Sequence, residues 1–170
     1  MQKPKFFIPI QQWLSPKGRI SRLQYFVYGL ILAAVFMGVF LGLIIGDELK
    51  IDEEGHVATL FDFGINAALQ LALIYTLFCL ASKRLHDLSW PAWLALLLII
   101  DIPVDLAADL ARLYMTLPEG AETTVKIIDG LVKIASLGIG LNLTFRPGDK
   151  GANKHGPDPL RPPPAPIDVF

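Results

Sequence analysis

Leu23 to Gly46 contains no charged residue, and neither does Phe63 to Ser82. The first run is 24 residues long and the second is 20. About 20 apolar residues span a bilayer as a helix, so two membrane spans constrain everything else in the chain. Leu88 to Ile100 is a third uncharged run, of only 13 residues. It reaches spanning length by continuing past Asp101 and Pro103, with an acid in its outer half. Ile127 to Phe145 is long enough for a fourth span but carries Asp129 and Lys133. The expectation is an all-α fold, an integral membrane four-helix bundle. Its spans are placed at 23–46, 61–82, 88–105 and 125–145. Composition agrees: 53% of the 170 residues are hydrophobic and 18% charged, against about 25% charged in soluble domains. A net charge of −1 gives no bulk attraction to nucleic acid. Cys79 is the only cysteine, which excludes an internal disulfide. The first apolar run exceeds the apolar core of a signal peptide, so a cleaved leader is not expected.

Lysine and arginine set the orientation. Lys3, Lys5, Lys17, Arg19 and Arg22 precede the first span, Lys83 and Arg84 lie between the second and third, and Arg146, Lys150, Lys154 and Arg161 follow the fourth. The opposite side has Lys50, Arg112 and Lys126, with an acidic first loop that includes Asp47, Glu48, Asp52, Glu53, Glu54 and Asp62. Positive-inside bias places both termini in the cytoplasm. Only an even number of spans is consistent with that. Trp13, Tyr25, Trp90, Trp93 and Phe145 fall at the same side, where amphipathic rings sit at headgroup level. Three regions follow: a cytoplasmic interfacial segment, 1–22; a membrane domain, 23–146; and a turn-rich, proline-rich cytoplasmic tail, 147–170. Within the first, Phe6 to Leu14 is too short to span and reads as an anchor on the inner surface.

Inside the membrane the polar signals are few. Ala34, Gly38, Gly42 and Gly46 share one face of the first helix. Small residues at that spacing let helices approach closely, either within the chain, the favoured reading, or in a homo-oligomer. Asn66 and Gln70 are spaced i, i+4 and read as interhelical glue. Asp101, Asp105 and Asp109, with Arg112, form the polar stripe of an amphipathic helix, broken or kinked near Pro103. Asp129 and Lys133 can pair along helix four. Depth counting at about 1.5 Å per residue brings Lys133 level with Asp101, so Asp101, Asp129 and Lys133 are expected to form an intramembrane ion pair.

The densest chemistry lies at the cytoplasmic face. Gly18-Arg19-Ile20-Ser21-Arg22 precedes helix one, Lys83-Arg84-Leu85-His86-Asp87 joins helices two and three, and Arg146 to Pro159 follows helix four. All flank helix ends on one face, so they can meet. The candidate binding layer is Arg19, Arg22, Lys83, Arg84, His86, Asp87, Asn153, Lys154, His155 and Asp158. Basic groups there can attract anionic headgroups, by about 1 kcal/mol each. Asp87 or Ser89 can cap helix three. A metal held by His86, Asp87, His155 and Asp158 lacks tight ligand spacing, and no metal or cofactor is expected. No nucleophile elbow, P-loop or dinucleotide fingerprint appears, so no catalytic residue is assigned.

These three segments carry a resemblance. The opening Gly18 to Arg22 with Tyr25-Phe26, the central Lys83 to Asp87 with Trp90 and Trp93, and the closing Gly148 to Pro159 resemble, in order, the signatures of a bacterial inner-membrane family named domain of unknown function 805. Two positions depart: Lys83 stands where an arginine is usual, and His155 where an aromatic is usual. The resemblance implies a small multi-helix inner-membrane protein and brings no activity. The expected function is a non-enzymatic membrane module whose basic face engages anionic lipid or a membrane-protein partner. The alternatives are a small transporter or channel subunit and an inner-leaflet lipid-modifying enzyme acting through His86 and Asp87.

Overall fold

The structure is a computed structural model, and it describes residues 7–51, 57, 59–115 and 119–161. The proline-rich end, the acidic residues Asp52, Glu53 and Glu54, and Lys3 and Lys5 lie outside the described residues. The described chain is all-helical: α1 (Ile10–Trp13), α2 (Arg22–Ile45), α3 (Leu60–Asp87), a 3₁₀ segment (Ala92–Leu98), α4 (Asp101–Tyr114) and α5 (Glu119–Phe145). Only isolated bridges, such as Ile51 with Val57, occur in the connections.

Two of these helices, α2 and α3, are long and apolar enough to cross a membrane. Only 11% of the most apolar stretch of each is buried. A core helix of a water-soluble globule would be mostly covered. Ser21 starts α2 with a capping box: its hydroxyl accepts from Gln24 N and the Gln24 side chain accepts from Ser21 N at 2.9 Å. Such a cap stabilises a helix by about 1 kcal/mol, and here it fixes where the chain turns from the loop into α2.

The core is small and sits at one end. Ala81, Leu85, Leu88, Ala95 and Leu143 are buried together, ringed by Tyr25, Phe78, Trp90 and Leu94. They come from α3, the 3₁₀ segment and α5. The polar layer described below lies beside this core.

Three expectations are corrected. Lys83 to Asp87 does not link two helices as a loop; it is the last turn of α3. The apolar pattern continues through Leu85 and Leu88, both buried, so ending the helix earlier would expose them. The third apolar run is not one α-helix. It is a 3₁₀ segment that starts after Pro91, without a side-chain cap from Asp87 or Ser89, and breaks at Ile99 and Ile100. Pro103 lies inside the first turn of α4, where its missing N–H costs nothing. Finally, Ala34, Gly38, Gly42 and Gly46 are all exposed. A Cβ added at Gly38 or Gly42 would meet nothing within 4 Å, so among the described residues this face packs on no other helix of the chain.

Candidate functional site

Arg19, in the loop before α2, and Arg84 and Asp87, in the last turn of α3, form a buried cluster. Arg19 Nε and Nη2 donate to Asp87 Oδ1 at 3.1 and 2.9 Å. Arg84 Nη1 donates to Asp87 Oδ2. The side chains of Arg19, Arg84 and Asp87 are 1%, 0% and 3% exposed. Arg84 and Asp87 can meet because they are three apart on one helix face.

Further donors of both arginines are used on main-chain carbonyls. Arg19 Nη1 reaches Gly151 O at 2.7 Å and Gly156 O at 3.4 Å, and its Nη2 reaches Asp149 O at 2.7 Å. A guanidinium has five N–H donors, so Arg19 is saturated. Arg84 Nε donates to Leu143 O at 2.8 Å and its Nη2 to Arg146 O, both at the end of α5. Asp149 N closes the ring on Asp87 O at 2.8 Å. Three segments distant in the chain are thus joined by one carboxylate and two guanidinium groups. The cluster functions as a latch.

The closing segment docks by its own contacts. Asn153 Nδ2 donates to His86 O at 2.9 Å and Ser89 Oγ at 3.1 Å. The His86 and His155 rings stack with centroids 3.7 Å apart and planes 9° apart. His86 Nδ1 faces Gly18 O at 3.2 Å; a carbonyl only accepts, so Nδ1 carries the proton. The Asp158 carboxylate turns inward and accepts from Gly151 N at 3.1 Å and Leu160 N at 2.9 Å. Gly148 touches Asp87: a Cβ there would lie 1.9 Å from Asp87 Oδ2.

The candidate layer therefore divides in two. Arg19, Arg84, His86, Asp87, Asn153, His155 and Asp158 hold one another and the backbone. Lys83, 3% exposed, donates to Gln12 O and ties α1 to α3. Arg22 and Lys154 face outward, as do Lys17 and Lys150. The two stacked imidazoles are parallel and do not converge on a shared point, and no cluster of metal-ligating side chains occurs among the described residues. Asp87 accepts three arginine N–H bonds, two at Oδ1 and one at Oδ2, so taking up a substrate proton would weaken the latch.

The pattern alone did not reveal the carbonyl partners at Gln12, Leu143 and Arg146, or the role of Gly148. Tyr75 and Tyr28 belong with them. Tyr75 OH donates to Leu14 O at 2.7 Å, and Tyr28 OH accepts from Ile8 N at 3.0 Å. Trp13 packs on the Tyr28 ring at 4.5 Å, and Arg146 lies 4.8 Å over Trp90. An aromatic near a helix end signals burial of one face but not which carbonyl its hydroxyl will find.

The acids of α4 and α5 are placed differently from expectation. Lys133 pairs with Asp129 at 2.8 Å on its own helix and with Asp105 at 3.2 Å across to α4. The cross-helix partner is Asp105, one turn beyond Asp101. Depth counting assumed a continuous α-helix from Leu88. A 3₁₀ segment turns by about 120° per residue and rises about 2.0 Å, so the azimuth of every later residue changes.

A family model described as "Protein of unknown function (DUF805)" matches residues 13–157. The chain belongs to this family. The matched DUF805 region begins at Trp13 and ends at Pro157, so it contains the whole Arg19–Arg84–Asp87 latch. No curated protein and no solved structure matches the chain.

The latch region of this DUF805 chain is expected to respond to acid. Burial lowers the His155 pKa below its usual 6.5, assisted by the positive charges of Lys154 and Arg19. The folded state therefore favours neutral His155, and stability contributed by this ring falls as pH drops through the unfolded value of 6.5. Burial pushes the Asp158 carboxyl up, but N–H donation from Leu160 and Gly151 and the charge of Arg19 outweigh it, so its pKa is below 3.8. Its contribution is present above that value and lost only at more acid pH. Between pH 7.5 and 5.5, amide protection factors across 149–158 are expected to fall. Burial lowers the stacked His86 as well, opposed by its bond to the Gly18 carbonyl and reinforced by the charges of His155 and Lys154, so both rings act in the same window. His155→Phe keeps the stack and should reduce the slope, leaving the share of His86; an unchanged slope would assign the response elsewhere.

Proposed function

We propose that this DUF805 protein is a non-enzymatic bacterial inner-membrane module with four spans and both termini in the cytoplasm. Its latched face gathers anionic lipid headgroups. The observation that carries the reading is the division of the cations. Arg19 and Arg84 are buried and engaged inside the latch, while Lys17, Arg22, Lys150 and Lys154 stand exposed in the segments that the latch fixes. A rigid platform with outward cations meets headgroups without ordering a loop on binding. Each contributes about 1 kcal/mol, screened by salt. The lysine and arginine bias supports the orientation, and α4 with α5 would complete the four spans. The engaged Asp87 argues against the enzyme alternative. The exposed small-residue face of α2 leaves room for a second copy in the same membrane.

The test has two arms. In a Cys79→Ser background, Glu48→Cys should react with an impermeant thiol reagent in intact cells and Lys150→Cys should not; the reverse overturns the orientation. In nanodiscs, adding phosphatidylglycerol to phosphatidylcholine should raise the melting temperature. Lys17→Gln, Lys150→Gln and Lys154→Gln together should remove that rise. Equal melting in both bilayers would end the lipid reading.

A further inference from the structure

A cavity of about 740 Å³ lies at the other side of the molecule, between α2, α3 and α4. Ligand sites run at about 300–1,000 Å³, mostly apolar with a few polar groups that fix orientation. Here the α2 wall is apolar, with Leu32, Phe36, Met37 and Phe40. One end is lined by described residues of the loop after α2: Leu49 and Val57 are 2% and 8% exposed. Lys50 N donates to Asp62 at 3.0 Å, which holds that loop against the start of α3.

The opposite wall carries the polar groups, set among Leu69, Leu73, Leu77 and Ile102. Asn66 and Gln70 project from α3, and Asp105, Asp109 and Arg112 from α4. Most of these groups are mutually satisfied. Arg112 donates to Asp109 at 3.2 Å, Lys133 holds Asp105 from α5, and Gln70 Nε2 donates to Asn66 Oδ1 at 3.2 Å. Gln70 Oε1 is the exception. It is buried and has no hydrogen-bond partner among the described residues. A buried acceptor left unmet costs about 1–3 kcal/mol, so it marks where a donor belongs. The carboxylates on the same wall also accept and cannot donate.

From this we infer that the cavity binds a long-chain amphiphile whose head is a hydrogen-bond donor, with the chain along α2 and the head at Gln70. The donor is a hydroxyl or an ammonium. A carboxylate head has no proton to give Gln70 Oε1 and is selected against at that point. The apolar wall alone would hold any hydrocarbon; the α3–α4 wall selects the head. This separates the inference from ordinary bilayer contact, which is blind to that difference.

Brominated chains quench tryptophan at short range, so 11-bromoundecanol, 11-bromoundecylamine and 11-bromoundecanoate serve as probes for the full chain in nanodiscs. Phe36→Trp reports from inside the cavity. Val39→Trp, on the exposed face of the same helix, reports probe dissolved in the bilayer. Wild type supplies the background of the three native tryptophans. Saturable quenching is expected with Phe36→Trp only. The alcohol, the amine or both should bind about tenfold more tightly than the carboxylate, a difference of about 1.4 kcal/mol. Alcohol alone identifies a hydroxyl head, and amine alone an ammonium. Gln70→Leu added to the reporter should bring the three probes to within about threefold of one another, since the unmet acceptor is gone. Non-saturable quenching at both reporters, or a carboxylate as tight as the others, overturns the assignment.

Discussion

Asp87→Ala should lower stability by about 3–5 kcal/mol, the cost of breaking a buried ion pair by removing one partner. Two arginines lose their counter-charge at once. Arg84 is 0% exposed, so it cannot turn to water without leaving the core beside Leu85 and Leu143. Asp87→Asn should be nearly as damaging: its amide NH₂ presents donors to donors, and the carboxyl charge is gone. Equilibrium unfolding in mixed micelles reads both. Asp47→Asn, in an exposed pair with Lys50, should produce no measurable loss, because surface pairs contribute little. If Asp87→Ala unfolds at the wild-type midpoint, the latch does not hold the fold together.

Gly148→Ala is expected to be the second most damaging single change, although it adds one methyl group. The new Cβ would lie 1.9 Å from Asp87 Oδ2 and 2.6 Å from Cγ, far inside any contact distance. Asp87 cannot move aside while it accepts from both arginines. The closing segment must move instead, breaking Asp149 N–Asp87 O and the Arg19 bonds to Asp149, Gly151 and Gly156. Overpacking costs about 1–3 kcal/mol, occasionally more, and the lost charge-assisted bonds place this case at the upper end. Hydrogen exchange should rise across 149–158 and stay unchanged in the middle of α2. Gly38→Ala and Gly42→Ala, where a Cβ meets open space, should leave the monomer's stability intact. Equal protection in Gly148→Ala and wild type would show that the segment is not fixed through this contact.

The sequence made some of this legible because the signals were long. Two uncharged runs give α2 and α3 by length alone. The three polar segments meet because each flanks a helix end on one side. The contacts among them are another matter. An arginine in a loop reads as a surface cation until its partners are known, and Arg19 became the most saturated side chain in the latch. Its acceptors are carbonyls of Asp149, Gly151 and Gly156, which no side-chain pattern encodes. Lys83 misled in the same way, since its partner is the carbonyl of Gln12. The third apolar run failed for a local reason. Leu94 to Leu98 satisfies either an α or a 3₁₀ winding, and periodicity over 13 residues cannot separate them. That choice then decided whether Lys133 met Asp101 or Asp105.

The latch also gives the molecule a fixed end and a free one. The start of α2 and the ends of α3 and α5 are tied to one carboxylate, as fingers are tied to a palm. Spreading the helices at that end would break several charge-assisted bonds together. At the far end, 14 residues lie between α2 and α3, and the cavity separates α2 from α4. Relative motion of the helices must therefore grow with distance from Asp87, and the widest opening falls at the side away from the arginines.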